Sequence, residues 1–132
     1  MKIDKDIIIC FDTNIYENTK YFFNGQFYTT FKNLKLYSYP NLKIYVEPII
    51  YNEVLLHLKN RAMNIVKNVK SFKSEVEGLE VFSNALKNLE IDDMEDLCFN
   101  EYKVKFEEFI RFFSEGEIDK TFNYELSEIL SD

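Results

Sequence analysis

The feature that most constrains this chain is the run Ile7-Ile8-Ile9-Cys10-Phe11, five apolar residues that stop abruptly at Asp12-Thr13-Asn14. Three of the five are β-branched, which suits a pleated strand, and an unbroken apolar run reads as a strand buried on both faces. Strands of that kind belong to parallel sheets, in which the chain must cross over and return before the next strand can pair. A second strand is expected at Leu42-Lys43-Ile44-Tyr45-Val46, where apolar and polar residues alternate. Between the two, Tyr21, Phe22, Tyr28, Phe31 and Leu34 fall at helical spacing, interrupted by Gly25 and by Thr29-Thr30. This predicts one helix with an irregular middle over about 17–37, then a turn at Ser38-Tyr39-Pro40-Asn41. The result is a βαβ unit with a right-handed crossover.

Glu47 closes the second strand, and Pro48 suits the first turn of the helix that follows. That helix is expected over about 49–70, with Ile50, Val54, Leu58, Ala62, Ile65 and Val69 as its apolar stripe, widened by Leu55 and Val66. A further helix over 72–89 would bury Val76, Leu79, Phe82, Leu86 and Leu89. Asp92 and Asp93 read as caps for a helix that buries Tyr102, Phe106, Phe109 and Phe113 and stops at Gly116; a short last helix is expected near 123–130. All 132 residues are expected to form one domain, a βαβ core over about 7–70 followed by a helical segment over 71–132.

Charge is unevenly distributed. Residues 1–70 hold 10 Lys/Arg against 6 Asp/Glu, and residues 71–132 hold 6 against 17, for a net charge of −7. Phosphate neutralisation supplies most non-specific affinity for nucleic acid, so the chain as a whole is a poor general binder. Any nucleic acid would have to meet the N-terminal half, where Lys20, Lys32, Lys35, Lys43, Lys59, Arg61, Lys67 and Lys70 lie. With three Gly there is no Gly-rich phosphate loop. The 13 Phe and 9 Tyr are dispersed, as core and half-buried residues are, and do not form a block for base stacking. Cys10 is expected to act as a small hydrophobe inside its strand, and the lone His57 cannot build a Cys/His zinc site with Cys10 and Cys98. No apolar run has the length of a membrane span, and no secretory leader is evident, so a cytoplasmic location is expected.

The chemistry is expected where the strands end. In open α/β sheets ligands bind beyond the carboxyl ends of the strands, and Asp12 stands there with a hydroxyl and an amide beside it. Its carboxylate is a candidate ligand for a hard cation; the same residues also suit a helix cap. Glu53 lies about one and a half turns into the helix after the second strand. A parallel pair brings both carboxyl ends to one edge, so Glu53 is placed to point back towards Asp12. Its alternative is an exposed position paired with His57 or Lys59.

Phe11-Asp12-Thr13-Asn14-Ile15 after one strand and Pro48-Ile49-Ile50-Tyr51-Asn52-Glu53-Val54 after the next resemble the PIN-domain nuclease family. The resemblance implies a Rossmann-like PIN fold with a short parallel sheet, helix-rich, and a Mg²⁺- or Mn²⁺-dependent endoribonuclease acting on single-stranded RNA. It makes Asp12 and Glu53 the catalytic, metal-binding acids, with Thr13 or Asn14 orienting Asp12. The match covers residues 7–58, and the helical segment is similar to insertions in longer bacterial members. One departure stands out. The family carries a third acid after the helical insertion, and Asp92, Asp93, Asp96 and Asp119 do not sit in its context. The expectation is therefore the N-terminal part of such a domain, incomplete at its C-terminus. Its open sheet edge would be met by a second copy, as a homodimer, or by a further C-terminal segment.

Two other readings compete. A phosphatase using Asp12 as nucleophile needs a second Asp two positions on, where this chain has Asn14. A catalytically inactive fragment or interaction module, docking through its acidic helical half, requires no metal and no role for Asp12.

Overall fold

The computed structural model describes residues 2–87 and 91–114. Two four-residue strands, β1 (Ile7–Cys10) and β2 (Leu42–Tyr45), pair in parallel, with Ile7 beside Leu42 and Cys10 beside Tyr45. Among the described residues five helices complete the order: α1 (Thr13–Asn18) and α2 (Gln26–Tyr37) between the strands, then α3 (Pro48–Glu75), α4 (Glu80–Leu86) and α5 (Met94–Phe113). The protein is helix-rich α/β with a short parallel sheet. No helix among the described residues is long and apolar enough to cross a membrane.

Among the described residues, the sheet is covered on one face. Leu42 and Ile44 are buried and Ile7 and Ile9 pack against the same core, whereas Ile8 is 67% exposed and Cys10 and Tyr45 also face outward. This corrects the expectation of a strand buried on both faces, and of a buried Cys10. An apolar run reports that a strand is hydrophobic on both sides; it does not report how many layers lie over it.

The crossover also differs from the expected single helix. The chain leaves α1 through Lys20 and Tyr21, both in the left-handed region with φ of 55° and 57°. For residues with a Cβ this conformation costs roughly 1–2 kcal/mol each. What offsets it is tertiary. The reversal buries Tyr21 and Phe23 while Phe22 between them stays exposed. Phe23 then packs on Phe106 and Phe109 with ring centroids 5.6 and 5.1 Å away. Gly25 caps the start of α2 so close to the Phe22 carbonyl that a Cβ would sit 2.9 Å from it. Lys35 then donates to the carbonyls of Pro40 and Leu42 at 3.0 and 2.8 Å, tying the following turn to β2.

Pro48 occupies the first turn of α3 as expected, where its missing N–H leaves no intrahelical bond unmade. The helix runs on to Glu75 and buries Val54, Leu55, Leu58, Ala62 and Val66. The expected 72–89 helix is reduced to α4, which buries no residue, because α3 has consumed its first turn. Leu89, Gly116, Asp119 and the helix expected near 123–130 lie outside the described residues. Asp93 holds the cap position of α5 without a side-chain bond, and Glu95 and Asp96 suit the dipole of the first turn. Phe106, Phe109 and Phe113 are buried as expected, whereas Tyr102 is only half-buried. α5 packs along α3 and against β2, placing these rings on the covered face of the sheet.

Tyr16 is the centre of this aromatic core. It is fully buried and meets Phe11, Phe23, Tyr28, Phe106 and Phe109 within 6.4 Å. Its hydroxyl has no hydrogen-bond partner among the described residues. Burial first, and the neighbouring Tyr28 second, hold this phenol protonated well above the ordinary tyrosine range. The folded state therefore binds the proton more tightly than the unfolded chain does. That contribution is fully present below about pH 10, falls from there upward, and is lost only as pH rises through the raised folded value. Tyr16→Phe is expected to leave stability at pH 7 unchanged or raised by up to about 1 kcal/mol, since no bond is lost. It should also blunt the loss of stability above pH 10. Urea melts at pH 7 and pH 10.5 measure both effects.

Candidate metal centre at the strand ends

Asp12 ends β1 and serves as the N-cap of α1 with extended backbone (φ −70°, ψ 155°). One carboxylate oxygen accepts from the Thr13 N–H at 2.8 Å, and the other receives the Asn14 side-chain amide at 3.4 Å. The group is exposed, and with about four lone-pair sites it keeps acceptor capacity facing solvent. The cap and the ligand readings are therefore compatible.

Glu53 reaches this end of the sheet by a different contact from the one expected. The buried Thr13 hydroxyl donates to its carboxylate at 2.6 Å, joining α1 to α3 across 40 residues of sequence. The short distance is that of a charge-assisted O–H···O⁻ bond. Thr13 thus holds Glu53 with its side chain while its backbone N–H holds Asp12. The hydroxyl occupies one oxygen of Glu53 and leaves the other. Glu53 does not pair with His57, which instead meets Glu17 at 3.0 Å. Asn52, the residue before Glu53, is buried and turns inward, its amide donating to the Pro48 carbonyl at 2.9 Å.

The parallel register brings a different acid beside Asp12. Two residues beyond the Cys10–Tyr45 pair, Asp12 and Glu47 leave the two strands side by side. Both line a recess of about 190 Å³, with Phe11 and Ile50 among its walls. Sequence reasoning used Glu47 only to end β2. Its equal offset from β2, matching that of Asp12 from β1, becomes informative only once the register is known.

Asp12 and Glu47 are hard oxygen donors on an open edge, suited to a hydrated Mg²⁺ or Mn²⁺, which is commonly held by one or two carboxylates and keeps several waters. They are not a closed cage. No group of three or more acidic, His or Cys side chains able to hold a metal ion is assembled among the described residues. Asp92, Asp93 and Asp96 lie at the start of α5, and all three are exposed.

One helical turn along from Thr13 and Glu53, the pairing of α1 with α3 repeats. Glu17 meets His57, and the Tyr21 hydroxyl lies 3.1 Å from the same ring nitrogen. Burial, followed by the Glu17 charge, raises the Tyr21 phenol well above its ordinary range, so it stays neutral here. Of the N-terminal cations, Lys35 is spent on backbone carbonyls, and Lys32 lies 3.4 Å from the Phe23 carbonyl and over the Phe112 ring. Comparison with known protein families, with curated proteins and with solved structures finds no match.

Thr13→Val removes the hydroxyl but keeps the shape, leaving the half-buried Glu53 carboxylate without its donor. The expected loss is about 1.5–3 kcal/mol, the range for a hydrogen bond to a charged group. Thr13→Ser should retain most of it. Chemical denaturation of the three proteins at pH 7 checks this.

Proposed function

We propose that this chain has a Rossmann-like, PIN-type fold and acts in divalent-metal-dependent hydrolysis of single-stranded RNA. The observations that support the reading are the shared recess of Asp12 and Glu47 beyond the strand ends and the Thr13–Glu53 bond, which ties the second turn of α3 to the residue that follows Asp12. The strand-and-acid pattern at Asp12 and Glu53 is the one that resembles the PIN family.

The division of labour follows from the contacts. Asp12 is fixed by the Thr13 N–H and presents oxygens to solvent, so it is the primary ligand for Mg²⁺ or Mn²⁺. Glu47 would add a second carboxylate from the neighbouring strand, and Glu53, held by Thr13 through one oxygen, would be the supporting acid nearby. A bound divalent ion would lower the pKa of an attacking water and offset charge on the scissile phosphate. Without that ion, three carboxylates repel a phosphodiester, so these residues cannot hold the substrate alone.

Cleavage of a labelled single-stranded RNA with Mn²⁺ tests the reading. Wild type is expected to cleave, EDTA to abolish cleavage, and Asp12→Asn to reduce it by at least about a hundredfold. Equal cleavage by wild type and Asp12→Asn, or Mn²⁺ binding indifferent to that change, would overturn it. The second reading, an interaction module without catalysis, draws support from Leu79, Val81 and Leu97, which are 52%, 83% and 68% exposed beside the acidic C-terminal half. That reading expects neither metal binding nor any effect of Asp12→Asn.

A further inference from the structure

Past the Glu17–His57 contact, the space beside α3 opens into a polar cavity of about 440 Å³. Tyr21 and Arg61 line it, and both also line a second cavity of about 500 Å³ that reaches across to Tyr102 and Lys105 on α5. With Tyr21 and Arg61 in both linings, the two recesses lie next to each other beside α3 and are together called the trough. Its near end lies one helical turn from Glu53.

Three features of the trough bear on what it could bind. Asn60, Asn64 and Asn68 recur every four residues on the face of α3 that also carries Glu53 and His57. Asn is a poor helix former, and the three side chains are exposed to solvent, with no hydrogen bond among the described residues. Lys20 and Arg61 line the trough with no salt bridge among the described residues, while its acids Glu17 and Glu101 are matched by His57 and Lys105. Arg61 is positioned by its Nε donating to the Tyr102 hydroxyl at 3.1 Å, which leaves the rest of its guanidinium fork free to donate. Lastly, the left-handed pair Lys20-Tyr21 turns Phe22 out to 64% exposure on this same lining.

Each feature matches one part of a nucleotide. A side-chain amide offers two donors and an acceptor, enough to pair with the edge of an unstacked base. A free guanidinium and ammonium take phosphates, and an exposed ring takes a base face. A duplex hides the base edges that the amides would read, so the chemistry selects a single strand. From Glu53 to Asn68 the face extends about 22 Å, on the order of six stacked nucleotides.

We propose that this trough seats single-stranded RNA, with the Asn60-Asn64-Asn68 ladder reading bases, Lys20 and Arg61 holding the backbone, and Phe22 stacking a base. The proposal rests on the RNA-cleaving reading of the adjacent acids for the identity of the substrate, and names where the strand lies once it leaves them. With two phosphate contacts in an otherwise acidic protein, the salt dependence of binding is shallow. The slope of log affinity against log salt is about −1.4, at about −0.7 per phosphate for a single strand.

The test is fluorescence anisotropy of a labelled single-stranded RNA of about a dozen nucleotides, in EDTA, so that binding is read without cleavage. The wild-type chain is compared with Asn60→Ala/Asn64→Ala/Asn68→Ala, in which Ala favours the helix and the fold is not endangered. At least a tenfold loss of affinity in the triple variant, with weak competition by duplex RNA of the same sequence, is the expected result. Equal binding by the triple variant, no binding by wild type, or equal competition by the duplex overturns the proposal. Cleavage in Mn²⁺ separates the two ideas. Asp12-dependent cleavage with the triple variant binding as wild type would remove the trough and keep the nuclease reading. Lost binding in the triple variant without Asp12-dependent cleavage would do the reverse.

Discussion

Two strands of four residues, paired in parallel, are the constraint on which everything else in this protein depends. A parallel pair has no hairpin to hold it, so the connection must travel the length of the sheet and return. α1 and α2 make that journey, and α3 begins where β2 ends. Because both strands point the same way, the first turns of α1 and α3 start at the same edge. Asp12 and Glu47 line one recess, and Thr13 reaches Glu53, for that reason. An antiparallel pairing of the same two segments would have sent Asp12 and Glu47 to opposite ends.

So small a sheet cannot stabilise itself, and the aromatic layer over its covered face does that work. Tyr16, Phe23, Tyr28, Phe106, Phe109 and Phe113 come from α1, the 19–24 connection, α2 and α5, and they meet mostly edge-on or tilted. Edge-on packing lets large rings from four different segments share one core without stacking in register. The chain accepts two left-handed residues to deliver Phe23 into that layer. The same reversal aims Tyr21 at His57 and Phe22 at solvent, so a packing requirement and the shape of the trough have one cause.

The electrostatic pattern between α1 and α3 is graded. Nearest the sheet edge, Glu53 is satisfied by a hydroxyl rather than a cation. One turn further, Glu17 is satisfied by a histidine, and beyond that Arg61 and Lys20 have no acidic partner among the described residues. Negative charge is therefore concentrated at the strand ends and falls away along the helix. A phosphate chain lying in the trough would meet cations first and would approach the acids only with a divalent ion to neutralise them.

Much of this was legible in the order of residues. β1, β2 and α3 follow from a β-branched run, an alternating run and a Pro-initiated apolar stripe, because local sterics and periodicity decide such elements. Asp12 could be placed at a strand end for the same reason. The remaining decisions were tertiary. Whether β1 has one covered face or two depends on how many layers pack over it, which left Ile8 and Cys10 misread. The break at Lys20-Tyr21 violates local preference and exists because Tyr21 and Phe23 gain more by burial than the backbone loses. Glu47 joins Asp12 only through the register of two strands, and Thr13 finds Glu53 only through contact 40 residues away. Sequence by itself determined which segments could become strands and helices; the folded chain decided which of their carboxylates, amides and cations face one another, since that depends on distances no local pattern encodes.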